Sequence, residues 1–192
     1  HSTGKMGYSL AEVAISLGAE VILVSGPTNL TPPEGCKFIQ TESAEEMFNA
    51  IWSHYDDADV VIKTAAVSDY TPSITYDQKV KKAEGDLSIS FKRTKDILLT
   101  LGQHKTNQIL VGFAAETDQV DEYAKGKLLK KNADMIVAND VTKAGAGFGT
   151  DTNIVTIYHR NGEVKSLPIM SKKEVSKEIL LEVHRLLTEG KR

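Results

Sequence analysis

Three features of the sequence predict an α/β fold: a doubly wound, mostly parallel sheet with a C-terminal antiparallel β-hairpin. Near-continuous apolar runs such as Asp59-Val60-Val61-Ile62, Gln108-Ile109-Leu110-Val111 and Met135-Ile136-Val137 alternate with amphipathic helical patterns. Runs of that kind mark strands buried on both faces, hence parallel strands covered by helices. Near the C-terminus Asn161-Gly162 separates two strand-like runs, 153–158 and 163–167, and Asn-Gly there is the strongest short-range hairpin signal. The whole reads as one Rossmann-like domain over residues 1–192.

The elements follow in order. His1-Ser2-Thr3-Gly4-Lys5-Met6-Gly7 leads at once into a helical pattern with Tyr8, Leu10, Ala11, Val13, Ala14 and Leu17. A small-residue loop at a helix N-terminus exposes free N–H groups and the positive end of the dipole, which suits an anion. Such a loop normally follows a strand, and here none precedes it. Strands are predicted at 20–24, 36–40, 59–66, 87–91, 108–113 and 133–138. Ser43-Ala44-Glu45-Glu46 and Ser171-Lys172-Lys173-Glu174 are capping boxes that open helices. Asp96 opens a further helix, and Asp118 to Asn132 is a charged one. The loops 71–86 and 141–152 are long for a compact domain, which marks functional or mobile segments.

Composition excludes several classes. A net charge of −3 over 192 residues leaves no general footprint for nucleic acid. No apolar run approaches a membrane span and no signal peptide is legible. Cys36 is the single cysteine, so no internal disulfide forms and a reducing, cytoplasmic setting is expected. The first residue is not Met, so the chain reads as a fragment, a processed product or part of something longer. His1, His54, His104, His159 and His184 show no ligand spacing with Cys36, which argues against structural zinc. Walker A, G-x-G-x-x-G and G-x-S-x-G motifs are absent.

Several groups carry chemistry at the ends of strands. Ala65-Ala66-Val67-Ser68-Asp69-Tyr70 closes the central apolar strand; its small residues let a ligand lie on the backbone. Asp69 accepts from hydroxyls, or helps hold a metal, or starts a turn before Pro72. Lys79, Lys81 and Lys82 follow in a loop, either a solvated charge run or a mobile arm that folds over a substrate. Gly112-Phe113-Ala114-Ala115-Glu116-Thr117 ends the next strand, with Phe113 either stacking on a base or packing in the core. Lys127 and Lys131 share a helical face. They either stabilise the helix C-terminus or clamp a polyphosphate. Asn139 either reads a base edge or caps a turn.

In this order, these motifs, with Lys79-Val80-Lys81-Lys82 and Ala138-Asn139-Asp140-Val141, resemble bacterial phosphopantothenoylcysteine synthetase. That enzyme is usually the C-terminal half of a bifunctional coenzyme A biosynthesis protein whose other half is a flavin-dependent decarboxylase. The resemblance runs over essentially the whole chain. It implies a ligase that activates 4'-phosphopantothenate with CTP and Mg2+, forming an acyl-cytidylate and pyrophosphate. Cysteine's amine then displaces CMP. It also implies a homodimer. By position, Ala65, Ala66 and Asp69 match contacts to the phosphopantothenoyl part, and Lys79 matches the catalytic loop lysine. Ser2, Gly4 and Gly7 match nucleotide contacts, as do Asp69, Lys79, Lys95, Asp96, Ile97, Leu98, Phe113, Lys127, Lys131 and, more weakly, Asn139. The family has a strand, a glycine-rich turn and a functional Asn ahead of the residue matching His1, and often Pro where Lys95 stands. A nicotinamide-dependent reductase and a catalytically silent nucleotide-binding or assembly module are the alternative functions.

Overall fold

The computed structural model describes residues 3–74, 76, 78, 88–116, 120–140 and 149–189. In chain order the elements are α1 (Lys5–Ser16), β1 (Ile22–Ser25), β2 (Lys37–Gln40), α2 (Ala44–Trp52), β3 (Val60–Lys63), β4 (Tyr70–Pro72), β5 (Phe91–Arg93) and α3 (Ile97–Gln103). Then follow β6 (Ile109–Glu116), α4 (Val120–Lys130), β7 (Met135–Asp140), β8 (Thr152–Asn153), β9 (Val155–His159), β10 (Val164–Ser166), β11 (Met170–Ser171) and α5 (Lys172–Glu189).

Among the described residues the central sheet has the order β10-β9-β7-β6-β3. Its first three strands in the chain are parallel, with Val60 opposite Ile109 and Val111 opposite Met135. The hairpin β9–β10 joins β7 antiparallel, Val137 opposite Ile157. Gly162 turns that hairpin with φ of 91°, a left-handed conformation that glycine takes without steric cost. β1 and β2 pair in parallel as a separate sheet, Ile22 opposite Lys37.

Alternation along the strands sends side chains to both faces, and both are covered. One face packs Leu110, Ile136 and Ala138 against Phe48 of α2, Ile97 and Leu101 of α3, and Leu128 of α4. The other packs Val111, Val137 and Ile157 against Leu10 of α1 and Ile179 and Val183 of α5. This is the doubly wound arrangement that the unbroken apolar strands predict. Leu101, Leu110, Val111, Ile136, Ile157 and Ile179 are fully buried, each worth about 1.5–3 kcal/mol relative to exposure.

The caps form where the sequence places them. Glu46 N–H donates to Ser43 Oγ at 3.1 Å, and the Glu46 carboxylate accepts from Glu42 N–H at 3.0 Å, one residue before the cap, a variant of the capping box. Asp96 caps α3 by accepting from Leu99 N–H at 3.1 Å. Helix α5 opens with the full reciprocal box: Glu174 N–H donates to Ser171 Oγ at 3.2 Å and Ser171 N–H donates to Glu174 Oε2 at 2.8 Å.

Two strand predictions need correction. The run predicted at 59–66 stops at Lys63, the last residue paired with β6, opposite Gly112. The strand predicted at 87–91 is instead Phe91–Arg93, shifted because its partner is Tyr70–Pro72 in an antiparallel ribbon outside the central sheet. Pro72 fits there because an edge position asks for no N–H. The short pair of β8 with β11, Asn153 opposite Met170, is a further element that periodicity missed.

Candidate functional site

The carboxyl end of β3 organises the surroundings of the predicted residues. Beyond Lys63 the chain runs through Ala65, half-buried, to exposed Ala66, Asp69 and Tyr70. Asp69 leads into the ribbon, where its carbonyl accepts from Thr94 N–H at 2.9 Å. This return brings Lys95 and Asp96, at the start of α3, back to the end of β3. Lys95 Nζ sits 4.0 Å over the centroid of the Phe48 ring, a cation–π contact.

Asp96 is the pivot of a charged cluster. Its carboxylate pairs with Lys131, at the exit of α4, and also caps α3. Burial works to raise its pKa. The Lys131 ammonium and the Leu99 N–H outweigh burial and hold the carboxyl below its usual range. Lys127, one turn before Lys131, lies with its ammonium 5.3 Å from the centroid of the Tyr123 ring. Lys63 belongs to the same cluster and was missed in the sequence. Its signal was a lysine ending an otherwise apolar strand, Val60-Val61-Ile62-Lys63. Burial pushes its ammonium below the usual lysine range; Lys131 and Lys127 add repulsion, while Asp96 and Asp69 pull the other way.

The structure therefore gathers Asp69, Asp96, Lys127 and Lys131, with Ala65 and Ala66 at the adjoining strand end. Ile97 and Leu98 are in the core, 1% and 8% exposed, so their side chains do not face a ligand. Gly4, Gly7, Phe113 and Asn139 lie toward the opposite, α1 side. Gly4 is the N-cap of α1, with φ of 78° and no side-chain cap. Gly7 is inside α1; a Cβ there would stand 2.7 Å from Thr64 Oγ1. Its smallness thus serves the close approach of helix to strand end. Phe113 packs half-buried against the α1–α5 core, and Asn139 is buried at the end of β7. Ser2 and Lys79 lie outside the described residues.

A cleft of about 340 Å³ lies at these strand ends, lined by Gly26, Thr41, Ser43, Met47, Ala66 and Thr94 among others. A wider cleft of about 770 Å³ follows the outer face of α1 toward the start of α5. Among the described residues, none of the predicted ones lines it. Its Lys5 and Lys173 are paired with Asp151 and Glu12, each at 2.8 Å.

Fold and site together define a Rossmann-like α/β domain with a lysine-rich cluster at the carboxyl end of a parallel strand, where open α/β sheets hold their ligands. A family profile described as "DNA/pantothenate metabolism flavoprotein C-terminal domain" matches residues 1–187, and the chain belongs to that family. It is 57% identical over 186 residues to the coenzyme A biosynthesis bifunctional protein CoaBC of Bacillus subtilis, covering 96% of this chain and 46% of that protein. It is 43% identical over 190 residues to the CoaBC of Vibrio vulnificus, covering 97% and 47%. The chain spans about half the length of these curated relatives. A crystal structure of the C-terminal domain of CoaBC superposes with a TM-score of 0.84 at 51% identity, covering 98% of this chain and 85% of that one. A DNA/pantothenate metabolism flavoprotein from Streptococcus pneumoniae shares the fold, with a TM-score of 0.80 at 22% identity over 97% of this chain and 90% of its own.

Proposed function

We propose that this domain is an enzyme of coenzyme A biosynthesis, the CTP-dependent ligase that joins 4'-phosphopantothenate to cysteine. The observation that carries the reading is the pairing of Lys131 with Asp96 beside the end of β3, with Lys127 one turn earlier and close enough to repel Lys63. Lysine suits a polyphosphate as a point charge. The identity to CoaBC proteins supports the particular reaction.

In this reading a carboxylate oxygen of phosphopantothenate attacks the α-phosphorus of CTP and pyrophosphate leaves. The amine of cysteine then attacks the acyl carbon and CMP leaves. Ala65, Ala66 and Asp69 bind the phosphopantothenoyl part, with the cleft beside Ala66 to receive it. Lys127, Lys131, Phe113, Asn139, Asp69, Ser2, Gly4, Gly7 and the segment from Lys95 to Leu98 serve the nucleotide. Ile97 and Leu98 contribute backbone only. Lys79 closes over the activated carboxylate and stabilises charge as it develops.

Among the described residues no three His, Cys, Asp or Glu side chains converge as a metal cage. Mg2+ usually keeps several waters and is held by substrate phosphates with one or two carboxylates. That fits this site, where exposed Asp69 is the carboxylate to hand. Mg2+ would neutralise triphosphate charge.

We further propose a cytoplasmic homodimer, acting with a flavin-dependent decarboxylase and without nucleic-acid or membrane partners. No helix among the described residues is long and apolar enough to cross a membrane. The ribbon and its flanks expose Tyr70, Ile74, Tyr76, Ile89 and Phe91 by 51–69%, an apolar surface suited to a second copy.

The test is product formation by the full chain with 4'-phosphopantothenate, cysteine and CTP, followed by mass spectrometry. A phosphopantothenoylcysteine peak that requires CTP supports the ligase; its absence from folded protein rejects it.

A further inference from the structure

Lys63 is an expensive residue for its position. The rest of β3 is apolar, and Val61, two residues earlier on the same face, packs against the α2–α3–α4 core. The Lys63 ammonium donates to the Ala65 carbonyl at 2.9 Å, and among the described residues it closes no ion pair. The carboxylate that could neutralise it, Asp96, is committed to Lys131 and to capping α3. Asp69 attracts it through space, while Lys127 and Lys131 repel it. Lys63 thus sits among further lysines, and Asp96, which attracts it, is already spent on Lys131 and on the cap of α3. A methionine would fill similar volume without the cost of desolvating a charge. Costly charges of this kind concentrate where a ligand repays them.

We propose that Lys63 is a third phosphate-binding cation of this site, engaging the phosphate chain of the nucleotide together with Lys127 and Lys131. The inference rests on the nucleotide-ligase reading and adds a residue to it. The ligand it takes is a polyanion, the triphosphate chain, whose charge relieves the mutual repulsion of the lysines. Because binding stabilises the charged ammonium, it also draws a proton onto Lys63 at alkaline pH. A purely structural lysine would show no such coupling.

The experiment is calorimetric titration of the full chain with CTP, comparing wild type, Lys63→Met and Lys63→Arg, together with their thermal midpoints. Lys63→Met should weaken CTP binding roughly 10- to 100-fold, the loss of a charge-assisted contact, with no fall in thermal midpoint. Lys63→Arg should retain most of the affinity. Titrations of wild type at about pH 9 in buffers of different ionisation enthalpy should show proton uptake that Lys63→Met lacks. Wild-type binding with unchanged affinity in Lys63→Met overturns the role of Lys63 and leaves the nucleotide site standing. Lost affinity with an equally lowered midpoint and no proton uptake makes Lys63 structural and also overturns it. Folded wild type that binds no CTP removes the nucleotide reading, and the role of Lys63 with it.

Discussion

Replacing Gly102 by Ala should dislodge the cluster from a distance. Gly102 lies in the last turn of α3, where the exit of α4 crosses it. A Cβ at Gly102 would stand 1.8 Å from the carbonyl oxygen of Lys131 and 3.2 Å from Asn132 Cβ. The first distance is roughly 1.5 Å short of ordinary contact. The obstacle is backbone, so no rotamer change relieves it. Asn132 is also tied down, with φ of 50° and its amide donating to the Gly102 carbonyl at 2.8 Å. Overpacking of this kind costs about 1–3 kcal/mol. The gain in helix propensity from Gly to Ala returns up to about 1 kcal/mol. Because the obstacle is backbone at 1.8 Å, the cost lies at the upper end, about 3 kcal/mol; less about 1 kcal/mol of propensity, a net loss of about 2 kcal/mol follows, with Lys131 pushed from Asp96 and weaker CTP binding. Gly126→Ala in α4 is the control, because nothing lies within 4 Å of its added Cβ; it should hold or raise stability. Urea unfolding gives the stabilities and CTP titration the affinities. A Gly102→Ala variant as stable as wild type would refute the packing argument.

Other perturbations separate binding, chemistry and pH response. Lys127→Ala should weaken CTP binding by about 1–3 kcal/mol by calorimetry; unchanged affinity in this variant and in Lys131→Ala would return both lysines to a helix-end role. Lys79→Gln should lower turnover roughly a hundredfold or more in steady-state kinetics, with CTP affinity and melting temperature little changed; a raised Michaelis constant at normal turnover would make it a uniform binding residue. His159 is 2% exposed, and its Nε2 lies 3.4 Å from Glu182 Oε2 without hydrogen-bond geometry. Burial holds its pKa below the usual histidine value, against the pull of Glu182 and Glu163 and with Arg185 and Lys165 opposing protonation. Its neutral form is therefore favoured by folding. That stability is complete above about pH 6.5 and is lost as the pH falls through the lower folded value. His159→Gln should flatten the fall of urea midpoints between about pH 7 and pH 5, and parallel profiles would count against it.

Local signals were legible in the sequence because local physics decides them. Apolar runs became β3, β6 and β7, Ser43 and Asp96 became caps, and Asn161-Gly162 became the hairpin turn. The pairing of Tyr70–Pro72 with Phe91–Arg93 was not legible, since three-residue strands in a ribbon carry too little pattern. Lys63 was swept into an apolar strand because periodicity registers faces and not which charges converge there. The second constraint on Gly7, the close approach of Thr64 that leaves no room for a side chain, was not legible because it exists only in the folded chain. The nearness of Asp96 to Lys131, 35 residues apart, is likewise tertiary.

The most direct measurement is pyrophosphate release by the full chain mixed with 4'-phosphopantothenate and CTP, before any cysteine is added. Activation through an acyl-cytidylate predicts prompt pyrophosphate that depends on phosphopantothenate, then CMP only when cysteine arrives. No pyrophosphate until cysteine is present, or CTP cleavage indifferent to phosphopantothenate, would contradict it.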